Sequence, residues 1–223
     1  MEVSKQLAQV QTRIKQTCEK AGRNPNEITL IAVTKYVSTA RAKEALTAGI
    51  HDLAESYDKG FIEKHAILGS QAIWHFIGSL QSKKVKHVIN EIDYLHSLDR
   101  EKLAQEIQKH AKQPIKCLVQ VNISQEASKS GIDEKNLLSF VQLLQKYDTI
   151  RVVGLMTMAP LTDDTSIIRA CFSKLKELQQ QIQSLRLPYA SCEHLSMGMS
   201  NDFEIAIEEG ATMIRIGTSL VGE

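Results

Sequence analysis

With 223 residues, 43% of them hydrophobic and 24% charged, the chain has the makeup of a globular protein with room for one α/β domain or two small ones. A formal net charge of +1 gives no global electrostatic reason to bind nucleic acid or an acidic membrane surface. Cys18, Cys117, Cys171 and Cys192 are scattered without Cys-x-x-Cys spacing, no signal peptide opens the chain, and no apolar run approaches the roughly 18 residues of a membrane span; a cytoplasmic protein with reduced thiols is expected.

In chain order, an amphipathic stretch of helical spacing, Val3–Ala21, comes first. Short apolar or β-branched runs follow at 29–33, 51–54, 73–77, 94–97, 115–121, 152–156, 193–196 and 213–216, separated by charged segments of helical spacing such as Thr39–Thr47, 100–112 and 167–185. Strands alternating with helices imply parallel pairing through right-handed crossovers. Eight such units predict a single-domain (β/α)8 TIM barrel over residues 1–223, with a doubly wound open sheet as the alternative. Too few residues follow the last run for an eighth outer helix, so Val3–Ala21 is expected to complete the outer ring.

Lys35 directly follows the first run, in Ala32-Val33-Thr34-Lys35. The C-terminal ends of barrel strands carry the chemistry of this architecture, and an amine stripped of hydration there can attack an aldehyde, which makes Lys35 a Schiff-base candidate. The competing reading is a lysine that lays its stem on apolar surface and keeps its head in water. Near the other end, Ser196-Met197-Gly198-Met199-Ser200-Asn201 leads from the seventh run into an amphipathic helix capped at Ser200 or Asn201, an arrangement that suits a phosphate. The eighth run and its exit, Arg215-Ile216-Gly217-Thr218, add a cation facing the mouth, a close backbone approach and a hydroxyl. Loops after strands seven and eight are the customary phosphate site of the barrel. Together with Lys35 they suggest a phosphorylated aldehyde, of which pyridoxal 5′-phosphate is the obvious example.

Ala32-Val33-Thr34-Lys35, Trp74-His75-Phe76-Ile77-Gly78 with Leu80-Gln81-Ser82, Val121-Asn122-Ile123 with Ala127-Ser128-Lys129-Ser130-Gly131, Gly154-Leu155-Met156, Leu195-Ser196-Met197-Gly198-Met199-Ser200 and Arg215-Ile216-Gly217-Thr218 resemble the pyridoxal phosphate homeostasis protein family (YggS/PROSC) over nearly the whole chain. The resemblance implies a barrel like the N-terminal domain of alanine racemase, with Lys35 bound to the aldehyde. It places Ser200, Gly217 and Thr218 on the phosphate, Ser196 nearby, and Arg215 at the ring nitrogen or the phosphate side. It further implies a non-catalytic monomer that buffers pyridoxal 5′-phosphate or delivers it, through transient contacts, to apo forms of enzymes that use it.

One departure from the family pattern touches the site. Members read Gly-Glu-Asn-Tyr where this chain has Ala54-Glu55-Ser56-Tyr57, so Ser56 replaces the amide expected beside the cofactor. Lys83 in place of the usual Asn puts little in doubt. His75 and His194 read as satisfied core or mouth histidines or as acid/base groups, Trp74 as packing between strand and helix layers, and Lys129 as a solvated loop lysine or a second amine for the aldehyde.

Two alternatives stand beside the carrier. A pyridoxal-dependent racemase would need a second acid/base group on the opposite face of the cofactor, commonly supplied by a further domain for which this chain has no room, and an arginine at the ring nitrogen would weaken the electron sink. A Schiff-base aldolase fits Lys35 and the phosphate loops but not the whole set of sequence blocks.

Overall fold

The computed structural model describes residues 2–124 and 130–222. Strands β1 (Thr29–Val33), β2 (Asp52–Glu55), β3 (Ile73–Phe76), β4 (Tyr94–Leu98), β5 (Ile115–Asn122), β7 (Ile150–Met156), β8 (His194–Ser196) and β9 (Met213–Ile216) pair in parallel around a ring that the β4–β5 and β1–β9 ladders close. The two-residue β6 (Ile132–Asp133) hangs from the end of β5 and stands outside the ring. The open-sheet alternative is thereby excluded, and the eight expected strands are the eight of the barrel.

Period-two alternation sorts the strand side chains into two populations. Outward residues such as Ala32, Leu53, Trp74, Leu95, Val119, Leu195 and Ile216 join the large apolar layer beneath the helices. A much smaller apolar cluster, Ile31, Ala54, Leu118, Met156 and Met213, forms the inner core. Inner polar groups share that space: His75, His96 and Ser196 are fully buried and Arg215 is 3% exposed.

Helix α1 (Val3–Ala21) buries Val3, Leu7, Val10, Ile14 and Cys18 and packs against α8 (Phe203–Glu208), α9 (Thr218–Val221) and α2 (Thr39–Thr47), in the place expected of it. The Glu44 carboxylate of α2 accepts the Val3 N–H at 2.8 Å, and Arg41 donates to the carbonyls of Val221 and Gly222 at 3.2 and 2.9 Å, so α2 ties both ends of the chain together. The segment expected at 167–185 forms α7 (Thr165–Ser184); it starts earlier because the Asp164 carboxylate accepts the Ser166 N–H at 2.9 Å and caps it. Helices α3 (Asp58–Leu68) and α6 (Leu137–Leu143) carry weaker sequence signals, α3 because Gly60 interrupts it. Among the described residues, no helix is long and apolar enough to cross a membrane, and no cluster of side chains could hold a metal ion.

Candidate functional site

Lys35 sits in the turn between β1 and α2, and the turn is pinned from below. Thr34 extends the β1–β2 ladder through its N–H to the Ala54 carbonyl at 2.9 Å, and its hydroxyl donates to Glu55 Oε1 at 2.7 Å. Lys64 Nζ meets the same oxygen at 2.8 Å, in an ion pair with the Lys64 side chain 6% exposed and Glu55 fully buried. Glu55 Oε2 has no hydrogen-bond partner among the described residues. The Lys35 ammonium stands 5.0 Å from the ring centroid of the exposed Tyr36, whose hydroxyl lies 3.3 Å from that of Tyr57.

The C-terminal ends of the strands surround a cavity of about 550 Å³. Lys35, Ser56, Ser200, Arg215, Gly217 and Thr218 all line it, with Val33, Ile77 and Met156 as apolar walls. Gly78 lets the loop after β3 run against Ser56, since a Cβ there would stand 2.0 Å from the Ser56 carbonyl oxygen. Gly198 shapes the loop after β8: its φ of +91° suits glycine, and a Cβ would fall 2.6 Å from that of Ala206. The Ser219 hydroxyl donates to the Ser200 hydroxyl at 3.1 Å, which joins the loops after β8 and β9.

Arg215 is the buried cation of the site. Its Nη1 donates to Ser196 Oγ at 2.6 Å and its Nη2 to the Thr157 carbonyl at 2.9 Å. Burial pulls its pKa down to about 10, with the Asp202 carboxylate opposing, so it stays charged at neutral pH. Asp202 itself lines the cavity and accepts the Met199 N–H at 2.5 Å. Burial raises its carboxyl pKa, against the pull of that N–H and of Arg215.

The remaining expected residues fall elsewhere. Ser196 is fully buried behind Arg215 and does not line the cavity. His75 lies inside the barrel, His194 is half-buried at the start of β8, and Trp74 packs outward with its indole N–H on the Gly69 carbonyl at 2.8 Å. Lys129 lies outside the described residues. Asp202, rather than Ser200 or Asn201, occupies the cap position of α8, with its carboxylate turned back to Met199.

Sequence reasoning missed three contributors. The segment Met158 to Asp163 forms one side of the cavity, and Pro160 at a strand exit was its one signal. Asp202 looked like an ordinary acidic residue of a first helical turn. His96, inward on β4, accompanies His75 on β3; the period-two position of both rings inside the barrel was the available clue.

The family described as alanine racemase, N-terminal domain, matches residues 6–223. The pyridoxal phosphate homeostasis protein of Aquifex aeolicus is 40% identical over 227 residues, covering 100% of this chain and 99% of the relative. Among solved structures, PipY of Synechococcus elongatus with pyridoxal phosphate bound is 30% identical with a TM-score of 0.84, covering 99% of this chain and 100% of that one. The alanine racemase of Corynebacterium glutamicum shares the fold at 15% identity, with a TM-score of 0.68 over 99% of this chain and 61% of that one.

Proposed function

Because the chain belongs to the pyridoxal phosphate homeostasis proteins, built on the alanine racemase N-terminal domain, we propose that it binds pyridoxal 5′-phosphate in the cytoplasm and buffers it or passes it to other proteins without turning over a substrate. One observation carries the reading: an amine, two hydroxyls and a fixed cation converge on one cavity, in Lys35, Ser200, Thr218 and Arg215. That donor set fits the ligand. Pyridoxal 5′-phosphate brings an aldehyde that condenses with primary amines, an aromatic ring and a phosphate dianion. The volume of about 550 Å³ falls in the usual range for small-ligand sites, roughly 300–1,000 Å³.

Each residue then has a defined task. Lys35 offers the amine from a turn that Thr34 and Glu55 hold in place. Ser200 and Thr218 donate hydroxyl hydrogen bonds to the phosphate, and Gly217 leaves its backbone open to close approach. Arg215 supplies positive charge that Ser196 and the Thr157 carbonyl keep from swinging away. Val33, Ile77 and Met156 offer apolar surface to the ring, and Ser56 borders it with a hydroxyl in place of an amide.

The carrier reading is supported by the fixed charge of Arg215: at the ring nitrogen of the ligand it would disfavour protonation there and weaken the electron sink that carbanion chemistry needs. Titration with pyridoxal 5′-phosphate tests the proposal: an absorption band near the visible edge that borohydride abolishes is expected, together with release of the ligand to an apo-enzyme and no turnover of amino acids. Failure of the band to form would defeat the binding assignment, and steady racemisation or transamination would defeat the carrier assignment.

A further inference from the structure

The inner polar groups form a chain that runs the length of the barrel. Arg215 Nη1 donates to Ser196 Oγ at 2.6 Å, Ser196 Oγ lies 2.9 Å from His96 Nδ1, His96 Nε2 lies 2.9 Å from His75 Nδ1, and His75 Nε2 lies 3.0 Å from Asp52 Oδ1. Five side chains from β9, β8, β4, β3 and β2 are linked. Ser196, His96 and His75 are buried completely, whereas the Asp52 side chain is 22% exposed, at the start of β2 and hence at the opposite end of the barrel from the cavity.

Donor and acceptor counting gives the chain a direction. An ionised carboxylate only accepts, so a neutral His75 carries its proton on Nε2, directed at Asp52, and leaves Nδ1 as an acceptor. His96 then gives His75 its Nε2 proton and accepts at Nδ1 from the Ser196 hydroxyl. Ser196 Oγ in turn accepts from Arg215, whose guanidinium only donates. Every donor points away from the cavity and towards Asp52. His96 is suited to this neutral, two-sided role, because burial and the nearby positive or titratable groups His75, Arg215 and His194 hold its pKa well below the ordinary value.

We propose that Asp52, His75 and His96, acting through Ser196, are positioning residues for Arg215, a one-way relay by which an acceptor at the far face of the barrel fixes the guanidinium that faces the ligand cavity. Around the relay, the Tyr94 ring stacks on His75 at 4.7 Å and Lys116 Nζ lies 4.8 Å from the Tyr94 ring centroid, so both rings are held flat and the far end carries balanced charge. Its effect on a ligand rests on the pyridoxal phosphate reading; its existence does not.

Nitrogen NMR of the ligand-free protein, together with variants of the distal end, tests the proposal. Both His75 and His96 should be neutral with the proton on Nε2. Asp52→Ala should populate the Nδ1–H form of His96 and shift the Arg215 Nε–H signal, although Asp52 does not touch Arg215. Asp52→Asn, which keeps an oxygen acceptor, should restore both signals. In a Ser196→Ala background, Asp52→Ala should no longer move Arg215, because the middle link is gone. A wild-type His96 protonated on Nδ1, or His96 and Arg215 signals indifferent to Asp52→Ala, would overturn the relay. Asp52→Ala should also weaken pyridoxal 5′-phosphate binding about tenfold. A wild-type protein that takes up none would sink the functional reading, while the ligand-free spectra would still decide the relay.

Discussion

Arg215 is fastened to the exit of β7 by its hydrogen bond to the Thr157 carbonyl, 2.9 Å across the mouth of the barrel, while the same guanidinium holds Ser196 on β8. A lysine at this position has one nitrogen and cannot span both acceptors and still face the cavity. Arg215→Lys should therefore weaken binding of pyridoxal 5′-phosphate, and Arg215→Gln should weaken it further by removing the charge. Each leaves a buried acceptor unpaired, at a cost of about 1–3 kcal/mol in unfolding free energy. Equilibrium titration and urea unfolding check both effects, and unchanged affinity with an unchanged unfolding midpoint would remove Arg215 from the site.

Lys35→Ala should abolish the borohydride-sensitive band and leave the melting temperature close to that of the parent. The side chain lies in a half-buried turn rather than in a core layer, so little packing is lost. A full band in the variant would refute Lys35 as the amine, and a weak one would direct attention to Lys129.

Ser200 and Thr218 face the cavity from different loops and should contribute separately. Ser200→Ala or Thr218→Val should each cost about 1.5–3 kcal/mol of binding free energy, the range for hydrogen bonds to a charged group. Unphosphorylated pyridoxal forfeits both at once, so it should bind far more weakly than either variant binds the phosphate. Equal affinities for pyridoxal and pyridoxal 5′-phosphate would disprove a dedicated phosphate site.

The buried Glu55–Lys64 pair supports the turn that carries Lys35. Lys64→Met strands a carboxylate in the interior and should lower stability by about 3–5 kcal/mol. Adding Glu55→Leu should recover most of the loss, because an apolar pair of similar volume no longer needs charge compensation. Urea unfolding of the single and double variants measures this, and a single variant as stable as the parent would show that the ion pair is dispensable.

Acid should destabilise the barrel through His96. Its pKa is held well below the ordinary imidazole value of 6.5, chiefly by burial, so the unfolded chain binds a proton more readily than the folded one. The contribution is fully present above about pH 6.5 and is lost as pH falls from there through the folded value; His194, shifted the same way by burial, adds to it. Stability measured between pH 7.5 and 5 should fall, and less steeply in His96→Gln. Parallel profiles for the two proteins would show that His96 does not supply the slope.

The strands were readable because parallel barrel strands are short, apolar and evenly interrupted, and the turn after β1 announced itself by placing Lys35 directly behind an apolar run. The loops that border the cavity after β8 and β9 were readable for a similar reason: Ser200, Gly217 and Thr218 are the small or hydroxylated residues at those two strand exits. What stayed hidden depends on contacts far apart in sequence. Ser196 looks like its hydroxyl neighbours, and nothing local reveals that Arg215, 19 residues later, turns it away from the cavity and towards His96, 100 residues earlier. Asp202 was likewise read as a helix-start acid, whereas its environment is set by burial and by Arg215.

The stitching of both chain ends through α2 bears on how the protein comes into being. Lys35 leaves the ribosome early, but Ser200, Arg215 and Thr218 are made more than 160 residues later, and the β1–β9 ladder that closes the ring waits for them. Arg41 of α2 meets the carbonyls of Val221 and Gly222 just past that ladder, so the same late residues also complete its contacts. Until those residues are made, one side of the cavity around Lys35 is missing, and its enclosure is completed only once β9 has joined β1.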